Sequence, residues 1–372
     1  MSPRSRKTAF KQSKFAPVGC LRTYCWYKEV RRAQRAVDKT LYALMKVFDG
    51  MERQVDYQSR DPDIVEWEKV APFGGRVFRG DRSSQDYTES WTCLCTAENG
   101  PSRRRLFDIP ALQCRSCGRE AELDFDFVYD DTLLNGNPAI RMIRNQIGGH
   151  CASYAWTAGA EIDQTIEVSL EGQMDVKLKP LIAQDLVKRH ERFRKRICRA
   201  KGRLKHFNFE VSDDVFNMDA LKLVGALVKV YGIKQEGTKK RHEIGKRHKI
   251  DGCTVLDKNN FAEICTAIAD GPVIATFRPG KDCNDLVCGQ VYKAADTEKF
   301  LAGNYEDLHH AVVLVGAGRI KRKKYFHFLN SWGEKFCMKV SANGIIFRGG
   351  IGMIRAKDLS SDPIHLRRRA KI

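Results

Sequence analysis

Between about Asp124 and Asp358 the chain reads as helix first and strand late, and this order constrains the fold more than any other feature. A run of good helix formers follows Cys151, and a second helical stretch spans Met218 to Tyr231. Apolar β-type runs come afterwards, at Val273 to Phe277, Ala311 to Val315 and Tyr325 to Leu329. Helices segregated ahead of strands predict an α+β domain, not the regular alternation that builds a parallel sheet. The 372 residues leave room for such a domain of roughly 200 to 250 residues plus an appendage. No apolar run approaches the roughly 18 to 20 residues that a bilayer span needs, so no membrane role is expected.

Ahead of this domain, Val30, Ala33, Val37, Leu41, Leu44 and Phe48 recur at helical spacing among basic residues, with Gly50 as a stop. One basic amphipathic helix is expected, either packed on the main body or lying in an arm; a nucleic-acid-binding or inhibitory role is the alternative. Residues 51 to 90 are polar and read as a connector.

Lysine and arginine number 65 against 46 acidic residues, a net charge of +19 that attracts polyanions or acidic partners without specifying a fold. The cations cluster in the N-terminal arm, in Lys188 to Lys205, in Lys239 to Lys249 and in the tail Arg367 to Lys371. These clusters read as solvated surface or as sites of nonspecific nucleic-acid contact; little aromatic interleaving supports base stacking. The segment from Met1 to Lys14 lacks the apolar core of a secretory signal, and the 13 cysteines lack the spacing of a disulfide scaffold. An intracellular location, cytoplasmic or nuclear, is expected.

Four cysteines stand apart from the rest. Cys93 and Cys95, then Cys114 and Cys117, form a C-x-C…C-x-x-C arrangement close to zinc-ribbon spacing. Four thiolates can close a tetrahedral site and staple a segment too small to hold a core. Two other readings remain open at this stage: four unrelated reduced thiols, or a redox disulfide.

Gly148 Gly149 His150 Cys151 places a thiol directly before a helix-forming run. Unpaired N–H groups at a helix N-terminus favour thiolate, the nucleophilic form of cysteine. Far downstream, His310 stands at the mouth of the apolar run Ala311 to Val315, and Asn330 follows Tyr325 to Leu329. If these runs pair as a hairpin through the basic stretch Arg319 to Lys324, a carboxamide oxygen comes beside an imidazole and can fix its tautomer. His309 competes with His310 as the base, and His327, alternating with Phe326 and Phe328, reads as structural.

These residues resemble the papain-like cysteine peptidases. Gln146 and Cys151 resemble the family's oxyanion glutamine and nucleophile, His310 Ala311 Val312 its histidine strand, and Asn330 Ser331 Trp332 Gly333 its asparagine motif, the most specific of the set. Glu161, Gln184 Asp185 Leu186 Val187, Gly271 Pro272 Val273, Gly289 to Tyr292 and Gly349 to Arg355 extend the likeness over roughly 230 residues. His310 follows Cys151 by 159 positions (310 − 151), slightly beyond the usual range of about 130 to 150. Insertions at Lys188 to His206 and Thr238 to Lys249 would account for the excess.

The resemblance implies a thiol endopeptidase. Cys151 as thiolate, paired with His310 as imidazolium, would attack a peptide carbonyl, and the Cys151 N–H and the Gln146 amide would hold the oxyanion. Histidine would protonate the leaving amine and then activate water, with no catalytic cofactor. Trp332 would shield the histidine and asparagine. Several positions depart from the family pattern: Gln146 lies five residues before Cys151 where six are usual, Ala152 replaces a common tryptophan, and Gly148 stands where a disulfide cysteine is usual.

The expected organisation is therefore a basic arm over residues 1–60, a connector with the Cys93, Cys95, Cys114, Cys117 module over 61–120, a papain-like domain over 121–365 and a basic tail over 366–372. That domain is two-lobed, with a helical left lobe and a β-rich right lobe, and takes protein or peptide substrates. The rival reading is a catalytically impaired papain-like protein that binds peptides, or a nucleic-acid-associated zinc protein.

Overall fold

The structure, a computed structural model, describes residues 72–73, 90–100, 106, 109–121, 123–130, 132–134, 136–171, 176–206, 220–237, 247–294, 309–340, 346–347 and 349–367. The expected basic amphipathic helix, whose apolar positions run from Val30 to Phe48, lies outside these residues. Contacts group the chain into two compact units, Leu44–Arg192 with Met218–Ile372, and Met1–Ala43 with Phe193–Asn217. Of the latter, only the helical residues 193–206 are described. No helix among the described residues is long and apolar enough to cross a membrane.

Four helices are described: α1 (Cys151–Leu170), α2 (Ala183–His206), α3 (Ala220–Tyr231) and α4 (Phe261–Asp270). Helix α1 is buried almost all round, polar positions such as Ser153, Thr157 and Thr165 included, which is the pattern of a helix enclosed on every face. Two of its hydroxyls bond back one turn, Thr157 to the Ser153 carbonyl and Thr165 to the Glu161 carbonyl. Trp156 is fully buried and donates its indole N–H to the Leu221 carbonyl at 2.8 Å. Opposite it sits Gly225 of α3, where a Cβ would come within 2.4 Å of the indole. The α1 and α3 axes approach closely because one partner has no side chain.

The other half is an eight-stranded sheet. In chain order its strands are β1 (Phe125–Val128), β2 (Gly252–Val255), β3 (Val273–Phe277), β4 (Val291–Tyr292), β5 (His310–Ile320), β6 (Lys323–Leu329), β7 (Ile351–Arg355) and β8 (Ile364–Arg367). They lie in the order β4-β7-β6-β5-β3-β8-β2, with β1 also pairing β5. All pairs are antiparallel except β4 with β7. Strand β5 is buried along its whole length up to Arg319, which makes it the sheet's backbone: β3 pairs with its first half, β1 with its second, and β6 runs along its other edge.

The β5–β6 hairpin forms as the sequence implied, but the turn is tighter. Ile320 pairs with Lys323, so only Lys321 and Arg322 turn, both with positive φ (50° and 65°). That conformation costs roughly 1 to 2 kcal/mol per non-glycine residue, and Asp124 offsets part of it by accepting the Lys321 N–H at 3.0 Å. Arg319 is not a loop cation. It is buried in β5 and donates to the Leu123 carbonyl at 2.7 Å. Strand β5 also runs past Val315 through Gly316, where a Cβ would meet the Phe127 carbonyl at 2.3 Å. A glycine here is what lets β1 pair alongside. The stretch Lys188 to His206, expected as a surface insertion, is a continuation of α2.

Candidate active site

Two backbone crossings bring the distant motifs together. The Gln146 N–H donates to the Ser331 carbonyl at 2.6 Å and the Gly333 N–H to the Arg144 carbonyl at 2.9 Å, so the segment before α1 is laced to the segment after β6. Arg144 anchors the first segment from the other side. Its guanidinium pairs with Glu161 of α1 at 2.6 Å and donates to the Leu181 carbonyl at 2.8 Å. Glu161, named from the sequence only as part of the family likeness, also accepts the Leu181 N–H at 2.7 Å, so a buried carboxylate ties three segments of chain together.

Cys151 is the first residue of α1 and half-buried. Its sulfur lies 3.8 Å from the His309 carbonyl oxygen, and the Ala311 N–H also bonds toward it, so the sulfur is bracketed by the backbone on both sides of His310. Burial pushes the thiol above its ordinary value; the N–H groups of Ala311, Ala152 and Cys151 itself oppose this without outweighing it.

His310 opens β5, and the Val313–Leu329 pair puts the end of β6 beside the start of β5. Asn330 Oδ1 lies 2.7 Å from His310 Nε2 and accepts the Ser331 N–H, also at 2.7 Å. A backbone N–H can only donate, so this atom is the carboxamide oxygen. Nε2 is therefore the protonated nitrogen of the neutral ring, leaving Nδ1 as the acceptor. The ring is 5 % exposed. Trp332 covers it at a centroid distance of 4.5 Å, and Phe277 meets it edge-on at 5.7 Å. Burial lowers the His310 pKa to about 4, and the Asn330 hydrogen bond only partly opposes this. In this arrangement sulfur and ring both favour their neutral forms at pH 7.

Gln146 sits at the same crevice, but its amide is engaged. Nε2 donates to the Gly148 carbonyl at 3.0 Å and Oε1 accepts from the Ser331 hydroxyl at 2.6 Å. Gly148 takes a positive φ of 67°, which turns the short loop back on itself. Nε2 carries two hydrogens, and Gly148 occupies one.

Three further histidines find other partners. His309 Nδ1 lies 2.8 Å from the Ser360 hydroxyl and is exposed, which draws it away from the crevice. His150 faces Glu191 of α2 at 3.4 Å. His327 contacts Asp126 of β1 at 2.6 Å, a structural tie between strands.

Away from the crevice, the sulfurs of Cys93, Cys95, Cys114 and Cys117 all lie within 4.8 Å of one another. Burial raises the Cys114 thiol, but the backbone N–H groups of Cys117 and Ser116, with Cys95 and Asn99, bring it to about 6. The Arg119 N–H lowers the Cys117 thiol, yet the neighbouring sulfurs of Cys95 and Cys93 leave it at about 11. Sharing of protons among crowded sulfurs is what produces such a split.

Several solved structures resemble this chain. The bromelain protease from Ananas comosus in complex with the E64 inhibitor is 16% identical with a TM-score of 0.42, covering 66% of this chain and 99% of that one. The Carica candamarcensis cysteine protease CMS1MS2 in complex with E-64 is 20% identical with a TM-score of 0.41, covering 67% of this chain and 100% of that one. Digestive procathepsin L 3 of Tenebrio molitor larval midgut is 16% identical with a TM-score of 0.40, covering 69% and 74%. No curated protein sequence matches the chain. The sequence profile of the papain family cysteine proteases matches residues 132–343, more than half of the chain and the stretch that carries Gln146, Cys151, His310 and Asn330: the chain belongs to the papain family of cysteine proteases.

Proposed function

We propose that the chain is a working cysteine peptidase that hydrolyses peptide bonds in proteins or peptides, with Cys151 as nucleophile, His310 as acid and base, Asn330 as the residue that orients the ring, and Gln146 as an oxyanion donor. The observation that carries this reading is the buried 2.7 Å bond from His310 Nε2 to Asn330 Oδ1, beside a sulfur bracketed by the backbone of residues 309 and 311. A ring held in one tautomer, with its free nitrogen on the other side, is what a thiol needs as a base.

Because thiol and imidazole rest neutral, attack and proton transfer go together. The Sγ–H proton passes to Nδ1 as the new C–S bond forms, and the substrate carbonyl becomes an oxyanion. The Cys151 N–H and the Gln146 amide receive it, at a helix N-terminus whose dipole favours negative charge. The imidazolium, steadied by Asn330, gives its proton to the departing amine, leaving a thioester and a neutral ring. Water then yields a proton to Nδ1 and attacks the thioester, and the thiol returns.

An epoxysuccinyl thiol probe tests the reading. Labelling of the wild type, absent in Cys151→Ala and at least a hundredfold slower in His310→Ala, is expected, together with cleavage of a denatured protein substrate by the same preparation. Folded, reduced protein that neither labels nor cleaves would instead point to a peptide-binding member of the family.

A further inference from the structure

We propose that Cys93, Cys95, Cys114 and Cys117 hold a structural zinc ion as four thiolates, and that this ion fixes the lead-in to β1, the strand that pairs with the far half of the histidine strand β5. The sulfurs of Cys93 and Cys117 are 3.6 Å apart and those of Cys95 and Cys114 3.5 Å apart. A disulfide needs about 2.05 Å, so neither pair is bonded. Four thiolates around one zinc at about 2.3 Å would stand about 3.8 Å from each other along the edges of a tetrahedron. These two separations match that within a few tenths of an ångström and the other four all lie within 4.8 Å, close enough for one ion to reach every sulfur.

The backbone is shaped for the same end. Each cysteine pair closes a tight turn with a left-handed residue directly after its second cysteine: Thr96 at φ 70° and Gly118 at φ 70°. The first turn is bound by Thr96 N–H to the Cys93 carbonyl at 2.8 Å and Cys93 N–H to the Ala97 carbonyl at 2.9 Å. In the second, Gly118 N–H reaches the Cys114 carbonyl at 2.8 Å and Cys114 N–H the Arg119 carbonyl at 2.8 Å. A β-branched residue at positive φ is strained, and such strain persists only where something else holds the turn. The Ser116 N–H points at the Cys114 sulfur at 3.4 Å. Buried Asn99 braces the two turns, accepting the Arg115 N–H at 2.9 Å and donating to the Ala97 carbonyl at 3.1 Å. Donors of this kind orient and neutralise metal-bound thiolates.

Among the described residues of this segment the buried apolar side chains are Leu106, Ile109, Leu112 and Ala121, with Cys93 and Cys114 buried beside them. A metal supplies the cohesion that so small a core lacks. Its placement gives the ion a purpose. The Leu106 N–H bonds to the Ala269 carbonyl at the end of α4 at 3.0 Å, Glu120 pairs with Lys324 of β6, and the chain runs from there directly into β1. Four protein ligands leave no position for water or substrate, so the site is structural and takes no part in hydrolysis. Binding converts four thiols and one zinc ion into a tetrathiolate complex and releases four protons to solvent.

The full-length chain, purified under reducing conditions without chelator, is expected to carry about one zinc per chain by elemental mass spectrometry. Cys114→Ser should lose most of it and Cys288→Ser should keep it. Where Cys114→Ser does not fold, wild-type protein grown on cobalt is read instead. Thiolate-to-cobalt charge transfer and the strong visible bands of a tetrahedral centre are expected, along with a lower melting temperature after chelation. Metal-free native protein whose four cysteines react freely with a thiol reagent, an isolated Cys93–Cys117 disulfide, zinc retained in Cys114→Ser, or iron in place of zinc would each overturn the proposal.

Discussion

Gln146 Nε2 donates to the Gly148 carbonyl two residues on, at 3.0 Å, so the amide proposed as an oxyanion donor is already engaged within its own loop. The loop has one residue fewer between glutamine and cysteine than the family pattern, and the left-handed Gly148 is how the chain closes it. Ser331 holds the other end of the amide at 2.6 Å. The amide is thus fixed in place, with one N–H committed to Gly148 and the other still to offer.

The first prediction follows from this engagement. Gln146→Ala should lower kcat/KM by about a hundredfold to a thousandfold, the usual loss of about 2.7 to 4 kcal/mol for one oxyanion donor. The fold should persist, because the Gln146 backbone N–H keeps its bond to Ser331. Steady-state kinetics on a fluorogenic peptide measures the loss. A reduction under tenfold would mean that the Gly148 contact removes the amide from catalysis.

A second prediction concerns the thiol. Burial raises the Cys151 pKa and lowers that of His310 to about 4, so the substrate-free protein holds little thiolate at neutral pH. Alkylation of Cys151 by iodoacetamide should therefore accelerate steadily from pH 6 to pH 9, where a standing thiolate–imidazolium pair would give a rate already level at pH 6. Mass spectrometry of the Cys151 peptide at fixed reagent and time reads the profile.

Much of this site can be read from the residues alone, and the limit of that reading has a physical cause. Cys151 announces its helix start through the preceding glycines, and His310 and Asn330 flank two apolar runs long enough to be strands. The tie between Gln146 and Gly148 depends on a single dihedral, which spacing does not encode. Strand β1 is only Phe125–Val128, four residues whose partners lie some 190 positions away, so no local period reveals it. Gly316 and Gly318 suggest that β5 ends at Val315, whereas they are the positions at which β1 and the Tyr325 ring come too close for a side chain. Lys188 to His206 looks like a polar insertion, but lysine, arginine and glutamate are good helix formers and simply extend α2.

The third prediction is a pH dependence of stability. His310 has a folded pKa of about 4 against an ordinary value near 6.5, so below pH 6.5 the unfolded chain takes up a proton that the folded chain refuses. This contribution leaves stability unchanged above pH 6.5 and erodes it as pH falls from 6.5 to 4, by on the order of 3 kcal/mol in all. Urea unfolding of the wild type and of His310→Gln between pH 4 and 7 isolates it. The variant should lose less stability over that window, and equal losses in both would show that other groups carry the acid sensitivity.

The last prediction tests the packing of the helix that begins at Cys151. Trp156 lies five positions along α1 from Cys151, and its indole rests on Gly225 at a distance that excludes even a methyl group. Alanine is the better helix former by about 1 kcal/mol, so on an open helix Gly225→Ala would stabilise. Here the new Cβ would stand 2.4 Å from an indole that is fully buried and held by its N–H bond to Leu221. Neither ring nor helix can yield cheaply, and overpacking of this kind costs about 1 to 3 kcal/mol. The net change should be a loss of stability, read as a lower urea midpoint at unchanged slope. Because α1 must shift to relieve the clash, Cys151 moves against the backbone of residues 309 to 311, so kcat should fall alongside. A Gly225→Ala variant more stable than the wild type, with kcat intact, would show that the α1–α3 contact has room for a methyl group.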